Sequence, residues 1–150
     1  MKITVNRRQA GVTLMELLIV VAIVSIIAAF AYPSYNQFIV RAKRAVGTSM
    51  LLQIADRQQQ YFMDNKRYAV SLTNLGYAGD SIMVDDEGQV VTTSDAKRTY
   101  NIQISASNIV TYELTATPQL QQASRDASCG KLTLTHTGKK GQSGTGDSCW

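Results

Sequence analysis

The chain has 150 residues, an apolar content of 45% and a charged content of 17%. This length suits one domain with an appendage, and this composition falls in the globular range and not in that of a disordered chain. Lys2, Arg7 and Arg8 supply most of the net charge of +4, because the other twelve basic residues nearly balance eleven acidic ones, so the charge gives little support for a nucleic-acid partner.

A long uncharged run follows this basic start. Residues 17–40 contain no charge over 24 positions, and as a helix they would extend about 36 Å, enough to cross a bilayer. Two simple hypotheses fit the run: a cleaved signal peptide with a small-residue site at Ala29-Phe30-Ala31, or a plain single-span anchor. Neither hypothesis explains Glu16, because an acid beside an apolar span is costly unless it has a partner.

The segment "GVTLMELLIVVAIVSIIAAFAYPSY" resembles the signal of type IV prepilins, in which a glycine precedes a cleavage point and a glutamate is the fifth residue after it. Gly11 matches the glycine, Val12 would become the methylated first residue of the mature chain, and Glu16 matches the glutamate. Pro33 matches the proline found further along the helix. Val12 departs from the phenylalanine or methionine common at this position, which bears on the efficiency of processing.

The resemblance implies a division of the chain and a set of partners. Residues 1–11 would be a leader removed by prepilin peptidase, 12–40 a transmembrane and later fibre-core helix, and 41–150 a soluble head. The Glu16 carboxylate would pair with the Val12 amine of a neighbouring subunit, which makes both charges tolerable and selects register. The partners would be other major and minor pilins and an inner-membrane assembly platform. Before assembly the protein would be a single-pass inner-membrane protein with its head in the periplasm, and afterwards part of an extracellular pilus.

The helix is expected to continue beyond the uncharged run. In the following segment, apolar residues recur three and four positions apart and form one apolar face: Met50, Leu51, Ile54, Ala55, Tyr61 and Phe62. The predicted helix therefore extends over 13–63. Pro33, which lacks an amide donor, is expected to kink or loosen the first half, and Gly47 to weaken the second by about 1 kcal/mol relative to alanine. Asp64-Asn65 is expected to end it.

Strand patterns dominate the second half of the chain. Residues 65–100 contain many turn formers and predict a loop with little regular structure, with a fourth strand near 89–92 as an option. Three later segments alternate apolar and polar residues, beginning at Tyr100, Tyr112 and Leu132. The predicted class is α+β, the type IV pilin fold: a long N-terminal helix packed by its amphipathic half on a C-terminal antiparallel sheet of three to four strands.

Two cysteines, Cys129 and Cys149, lie near the C-terminus. In an oxidising compartment a structural disulfide is expected, and it would retain a glycine- and serine-rich tail. The family resemblance gives the same pairing, as the boundary of its C-terminal loop. The segment "TYELTATP…RDASCGKLTLTHTGKKG…CW" further resembles PilE-type minor pilins of gammaproteobacteria.

The sequence gives weaker support to catalysis, metal binding and DNA binding. His136 has no evident nucleophile partner, so no enzyme and no cofactor is predicted. Asp80, Asp85, Asp86 and Glu87 match no cation loop, and a solvated acidic turn is preferred to a metal site. Some minor pilins bind DNA, and Arg125, Lys131, Lys139 and Lys140 are candidate contacts. Because Asp126 and Asp147 dilute these charges, a solvated loop is the favoured interpretation.

The sequence therefore predicts a minor structural subunit of a type IV pilus that serves motility, adhesion or DNA uptake. Two alternatives stay open: a major pilin, and a DNA-binding pilin for natural transformation. Because tip-most subunits usually lack the glutamate, Glu16 favours a position below the tip.

Overall fold

A computed structural model describes residues 11–150. The predicted leader lies outside the described residues except for Gly11. The chain divides into two compact units, Met1–Gln37 and Phe38–Trp150. One helix, α1, extends over Leu14–Asn65 and belongs to both units, so the predicted long helix is confirmed.

In the first unit, α1 is apolar on all sides. Its side chains from Leu14 to Tyr35 are exposed, and an 18-residue window has a mean hydropathy of 2.8. By length and composition this stretch could cross a membrane. The helix continues through Pro33; the predicted kink at this residue stays a prediction.

The second unit contains a six-stranded antiparallel sheet with the order β2-β1-β3-β4-β5-β6. The strands are β1 (Ser81–Val84), β2 (Val90–Val91), β3 (Tyr100–Ser107), β4 (Tyr112–Pro118), β5 (Leu132–Thr135) and β6 (Lys140–Gln142). A six-residue helix, α2 (Leu120–Arg125), lies between β4 and β5, and a short 3₁₀ helix (Leu72–Leu75) follows α1.

The predicted class is confirmed, but the strand count was too low. Segment 65–100, expected to have little regular structure, contains the 3₁₀ helix, β1 and β2. β1 pairs with β3 over four residues and buries Ile82 and Val84. β6 pairs with β5 although its sequence, Lys-Gly-Gln, has no strand pattern. β1 and β6 form along the edges of β3 and β5, and β2 forms along β1. This is a tertiary effect that local alternation does not reveal.

The core of the second unit lies between the sheet and one face of α1. Met50, Leu51 and Ile54 are buried as the helical spacing predicts, opposite Tyr100 and Ile102 on the sheet. Gln58 is buried on the same helical face, and its side chain exchanges two hydrogen bonds with the backbone of Ala69, at 2.9 and 2.8 Å. This pair fixes the chain that leaves α1 against the helix.

The two ends of this unit carry different features. The proximal end comprises the start of the head helix at Val40, α2 and the cysteines. The distal end comprises the C-terminus of α1, the β3–β4 turn (108–111) and the β5–β6 turn (136–139). Antiparallel pairing brings these turns together, since Glu113 on β4 lies opposite Thr135 on β5.

Candidate functional site

The N-terminal segment that matches the prepilin signal begins the helix. Leu14 is the first helical residue, and Thr13 Oγ1 accepts a hydrogen bond from the backbone N–H of Glu16 at 3.2 Å, as an N-capping side chain does. Gly11, Val12 and Glu16 are all exposed. Within residues 11–150 the Glu16 carboxylate has neither an ion-pair nor a hydrogen-bond partner.

The C-terminal cysteines form a disulfide, Cys129–Cys149, with the two Cα atoms 5.5 Å apart. The tail it retains is also held by the backbone. Gly144 N–H donates to Cys129 O at 3.0 Å, and Gly146 N–H donates to Ser128 O at 2.7 Å. A Cβ at Gly144 would collide with the Ser128 carbonyl, so glycine is needed for this close approach. The tail is thus ordered by hydrogen bonds as well as by the disulfide.

A buried ion pair joins α1 to the proximal end of the head. Asp126 is fully buried, and its carboxylate accepts hydrogen bonds from Arg44 at 2.9 and 2.5 Å, from Gln122 at 3.1 Å and from the Tyr100 hydroxyl at 3.3 Å. Arg44 also donates to Ser148 O at 3.2 Å, next to Cys149. The hydrogen bond to Asp126 raises the pKa of Arg44, and burial raises the pKa of Tyr100. This network fastens α2 and the C-terminal tail to α1.

Asp126 cannot weaken the field of the predicted DNA contacts, because it is buried and paired with Arg44. Of the two acids expected to dilute those charges, only Asp147 is exposed. The sequence separation of 82 residues between Arg44 and Asp126 hides this pairing from any local pattern.

The four predicted DNA contacts do not form one cluster. Lys131 precedes β5 at the proximal side, whereas Lys139 lies in the turn beyond its other end, a separation of about 13 Å along the strand. Arg125 ends α2 at the proximal end. Only Lys139 and Lys140 are adjacent, at the start of β6 toward the distal end. The Lys140 ammonium lies 5.3 Å from the centre of the ring of Trp150, the residue after Cys149.

Two further basic residues, Lys66 and Arg67, are exposed at the same distal end. The backbone N–H of Tyr68 donates to Ile109 O at 3.1 Å, which joins this segment to the β3–β4 turn. The ring of His136, after β5, packs 6.4 Å from Tyr68 and 6.2 Å from Tyr112. The sequence analysis missed Lys66 and Arg67 because only this long-range packing brings them to the β5–β6 turn.

We call these four basic residues together with the β3–β4 turn the distal surface: Lys66, Arg67, Lys139, Lys140 and residues 108–111. Two acidic residues, Asp64 and Glu113, each lie two positions from it in sequence. The Glu113 carboxylate accepts a hydrogen bond from the Ser105 hydroxyl at 2.8 Å. The β3–β4 turn presents Ile109 and Val110, which are 66% and 62% exposed. The Asn108 side-chain oxygen fixes this turn by accepting from Val110 N–H at 2.9 Å and Thr111 N–H at 2.8 Å. The distal surface thus combines cations with a rigid apolar projection.

The acidic residues Asp80, Asp85 and Asp86 each have a different partner. Asp85 is buried and accepts from the backbone N–H groups of Glu87 and Gln89, at 3.0 and 2.8 Å. Asp86 pairs with Lys43 at 3.6 Å, and Asp80 accepts from the Ser71 hydroxyl. Among the described residues, no three His, Cys, Asp or Glu side chains are grouped as a metal site would require.

Comparisons with known proteins connect these features. Residues 6–32 match the family described as "Prokaryotic N-terminal methylation motif". The type IV major pilin protein PilA of Myxococcus xanthus is 37% identical over 73 residues, which cover 49% of this chain and 33% of that protein. The type IV major fimbrial protein FimA of Dichelobacter nodosus is 57% identical over 42 residues, 28% of this chain and 26% of that protein. The matches thus span a third or less of these curated relatives.

A solved type IV pilin from Shewanella oneidensis aligns with 74% of this chain and 97% of its own, at 19% identity and a TM-score of 0.46. Residues 33–133 match the family described as "Type IV minor pilin ComP, DNA uptake sequence receptor". Because that match spans more than half of the chain, the protein belongs to this family of type IV pilins.

Proposed function

We propose that this protein is a minor subunit of a type IV pilus that binds DNA through its distal surface. The observation that carries the proposal is the placement of four cations, Lys66, Arg67, Lys139 and Lys140, at one end of the head in a chain of this family. The DNA-binding alternative thus moves ahead of a purely structural role.

Processing and assembly would use the N-terminal segment. Prepilin peptidase would cut after Gly11 and the new Val12 amine would be methylated. The Glu16 carboxylate, which has no partner within residues 11–150, would then pair with the Val12 amine of a neighbouring subunit. The apolar helix supports this scheme, since it would leave lipid for a fibre core only if its one acid were neutralised by such a pair.

Location follows from the same helix. Before assembly, residues 12–40 would span the inner membrane, and residues 41–150 would form a periplasmic head. The disulfide supports an oxidising compartment for the head. An inner-membrane platform would then add the subunit to a fibre of major and minor pilins, which would bring the head to the cell surface.

DNA binding would rest on charge and on shape. Lysine and arginine side chains neutralise phosphates, and this contact is independent of base sequence. Ile109 and Val110 project beside these cations on a turn fixed by Asn108, and apolar side chains of this size can contact bases or sugar edges. The family description supports DNA as the ligand, since it names a DNA uptake sequence receptor.

The test is DNA binding by the full chain in detergent micelles. Four phosphate contacts predict a slope of about −3.6 for log K against log salt, and Lys139→Glu with Lys140→Glu should reduce its magnitude by about 1.8. Lys97→Glu, an exposed charge near the proximal end, is the matched control and should leave the slope unchanged. Equal slopes for the wild type and the Lys139–Lys140 variant would refute the distal surface as the DNA site.

Minor status is a separate part of the proposal. The family description names a minor pilin, whereas the Myxococcus and Dichelobacter relatives are major subunits. Copy number in isolated fibres distinguishes the two: a minor subunit should be scarce beside a different pilin.

A further inference from the structure

A cleft of about 500 Å³ opens at the proximal end of the head. Its walls come from α1, the β1–β2 turn, the segment before β3 and the start of α2. We call it the proximal cleft and define it by the side chains used below: Lys43, Asp86, Glu87, Lys97, Arg98 and Gln122. Neither the assembly segment nor the distal surface includes any of these residues.

The floor of the proximal cleft touches the end of the predicted membrane span. The buried Gln122 side chain donates through Nε2 to the backbone carbonyl of Val40 at 3.2 Å. Val40 is the last residue of the uncharged run 17–40, and Lys43 in the cleft wall follows three residues later. In a membrane-inserted chain this position corresponds to the headgroup layer.

The charges in the cleft match a zwitterionic headgroup, which carries one negative and one positive charge. Asp86 pairs with Lys43 at 3.6 Å, which leaves Lys97, Arg98 and Glu87 outside any ion pair within residues 11–150. Arg98 donates one N–H to Asp95 O at 2.7 Å, which fixes its guanidinium while other donors stay free. Two cations suit one phosphate, and one carboxylate suits one ammonium.

We propose that the proximal cleft binds the phosphoethanolamine headgroup of a membrane phospholipid before the subunit is assembled. Lys97 and Arg98 hold the phosphate, and Glu87 faces the ammonium. The volume of the cleft lies within the range of small-molecule sites and suits a headgroup of this size. The inference rests on the proposed membrane insertion but not on the proposed DNA binding.

Native mass spectrometry of the full chain tests this inference. The protein is released from nanodiscs that contain phosphatidylethanolamine and phosphatidylglycerol in equal amounts, and the retained lipids are identified. The wild type should retain phosphatidylethanolamine preferentially. Lys97→Gln with Arg98→Gln should lower lipid retention about thirtyfold, because each basic residue near a membrane surface contributes about 1 kcal/mol. Lys97→Gln alone, at an exposed position, should lower it about fivefold.

A second variant tests the acidic wall. Asp86→Asn with Glu87→Gln should shift retention from phosphatidylethanolamine toward phosphatidylglycerol, since the ammonium loses its partner while the phosphate contacts remain. Lys139→Gln with Lys140→Gln, at the opposite end, is the matched control and should leave lipid retention unchanged. The cleft variants should bind DNA like the wild type.

The outcomes separate this inference from the proposed function. Equal retention of both lipids by the wild type, or unchanged retention in the Lys97–Arg98 variant, would mean annular lipid only and would overturn the headgroup site. If that result came with intact DNA binding, only the proposed headgroup site would be overturned, and the proposed function would stand. A chain that did not enter nanodiscs would overturn both the headgroup site and the proposed membrane location.

Discussion

At the scale of single residues, burial decides what each charge does. Asp126 is fully buried and compensated by Arg44, Tyr100 and Gln122, whereas Asp86 is an exposed partner of Lys43. A buried charge that loses its partner keeps its desolvation cost, but an exposed one is rehydrated. The two ion pairs at the proximal end should therefore respond very differently to truncation.

Arg44→Ala should lower the free energy of unfolding of the head by about 3–5 kcal/mol, because it leaves Asp126 buried without a cation. Urea unfolding of the full chain in micelles, followed by Trp150 fluorescence, measures this loss. Lys43→Ala is the matched control one position earlier in the same helix, and it should cost less than about 1 kcal/mol. Similar losses in the two variants would show that the Arg44–Asp126 pair is not the source of the effect.

Tyr100 predicts a pH dependence. Burial raises its pKa above the ordinary value for tyrosine, so the folded head holds the phenol proton more tightly than the unfolded chain does. Stability is then fully present below about pH 10, the ordinary tyrosine pKa, and falls as the pH rises above it. Urea unfolding between about pH 9 and 11, on either side of the ordinary tyrosine pKa, measures this change. In the Tyr100→Phe variant the free energy of unfolding should decrease less steeply with pH than in the wild type. The same pH dependence in the variant and the wild type would contradict the role given to the Tyr100 phenol.

Gly47 shows packing overriding intrinsic helix propensity. A Cβ at this position would lie 3.1 Å from the Tyr100 ring, and that ring is fully buried with its hydroxyl bonded to Asp126. Helix propensity alone favours alanine by about 1 kcal/mol. We expect Gly47→Ala to be destabilising despite this preference, since the buried Tyr100 ring would have to shift to make room for the Cβ. A higher urea midpoint for the variant would show that the ring yields.

At the scale of elements, the helix and the central strands were predictable, and the edges were not. Periods of 3.6 and 2 residues mark the second half of α1 and the strands β3, β4 and β5, because each of these has a buried face that repeats along it. β1, β2 and β6 are two to four residues long and form only where a neighbouring edge is available. Burial of Gln58 could not be predicted either, because the group that satisfies its side chain is the backbone of Ala69, outside the helix.

The C-terminal tail is held both by the disulfide and by hydrogen bonds. Cys129→Ser with Cys149→Ser should lower the free energy of unfolding by about 3 kcal/mol, the chain-entropy contribution for a loop of this length. The head should still fold, since Gly144, Gly146 and Arg44 keep the tail in place through hydrogen bonds. Complete loss of the folded head in the double variant would mean that these hydrogen bonds contribute little.

At the scale of the whole molecule, tertiary contacts decide where charges meet. The sequence separates Lys66 and Arg67 from Lys139 by more than seventy positions, and packing of Tyr68, Tyr112 and His136 brings them to one end. Lys131 and Arg125, neighbours of the cysteines in sequence, lie elsewhere. The prepilin signal, in contrast, is contiguous and needs no tertiary contact, so it was visible from the sequence.

In the proposed assembly, one acid, Glu16, pairs with the neighbouring subunit. Glu16→Ala should leave the chain processed at Gly11 but poorly incorporated into fibres, because the Val12 amine of a neighbour loses its partner. Immunoblots of sheared fibres and of membranes measure the two pools, and Glu16→Asp is the control that keeps the charge. Normal incorporation of the alanine variant would contradict the pairing.

The most direct test of the account is mass spectrometry of the N-terminal peptide from sheared surface fibres. We predict a methylated peptide that begins at Val12 and is scarce beside a second pilin. If this peptide were instead the most abundant species, the protein would be a major subunit. A chain that began at Tyr32 and was found free in the periplasm would contradict processing at Gly11, and with it the proposed assembly through the helix.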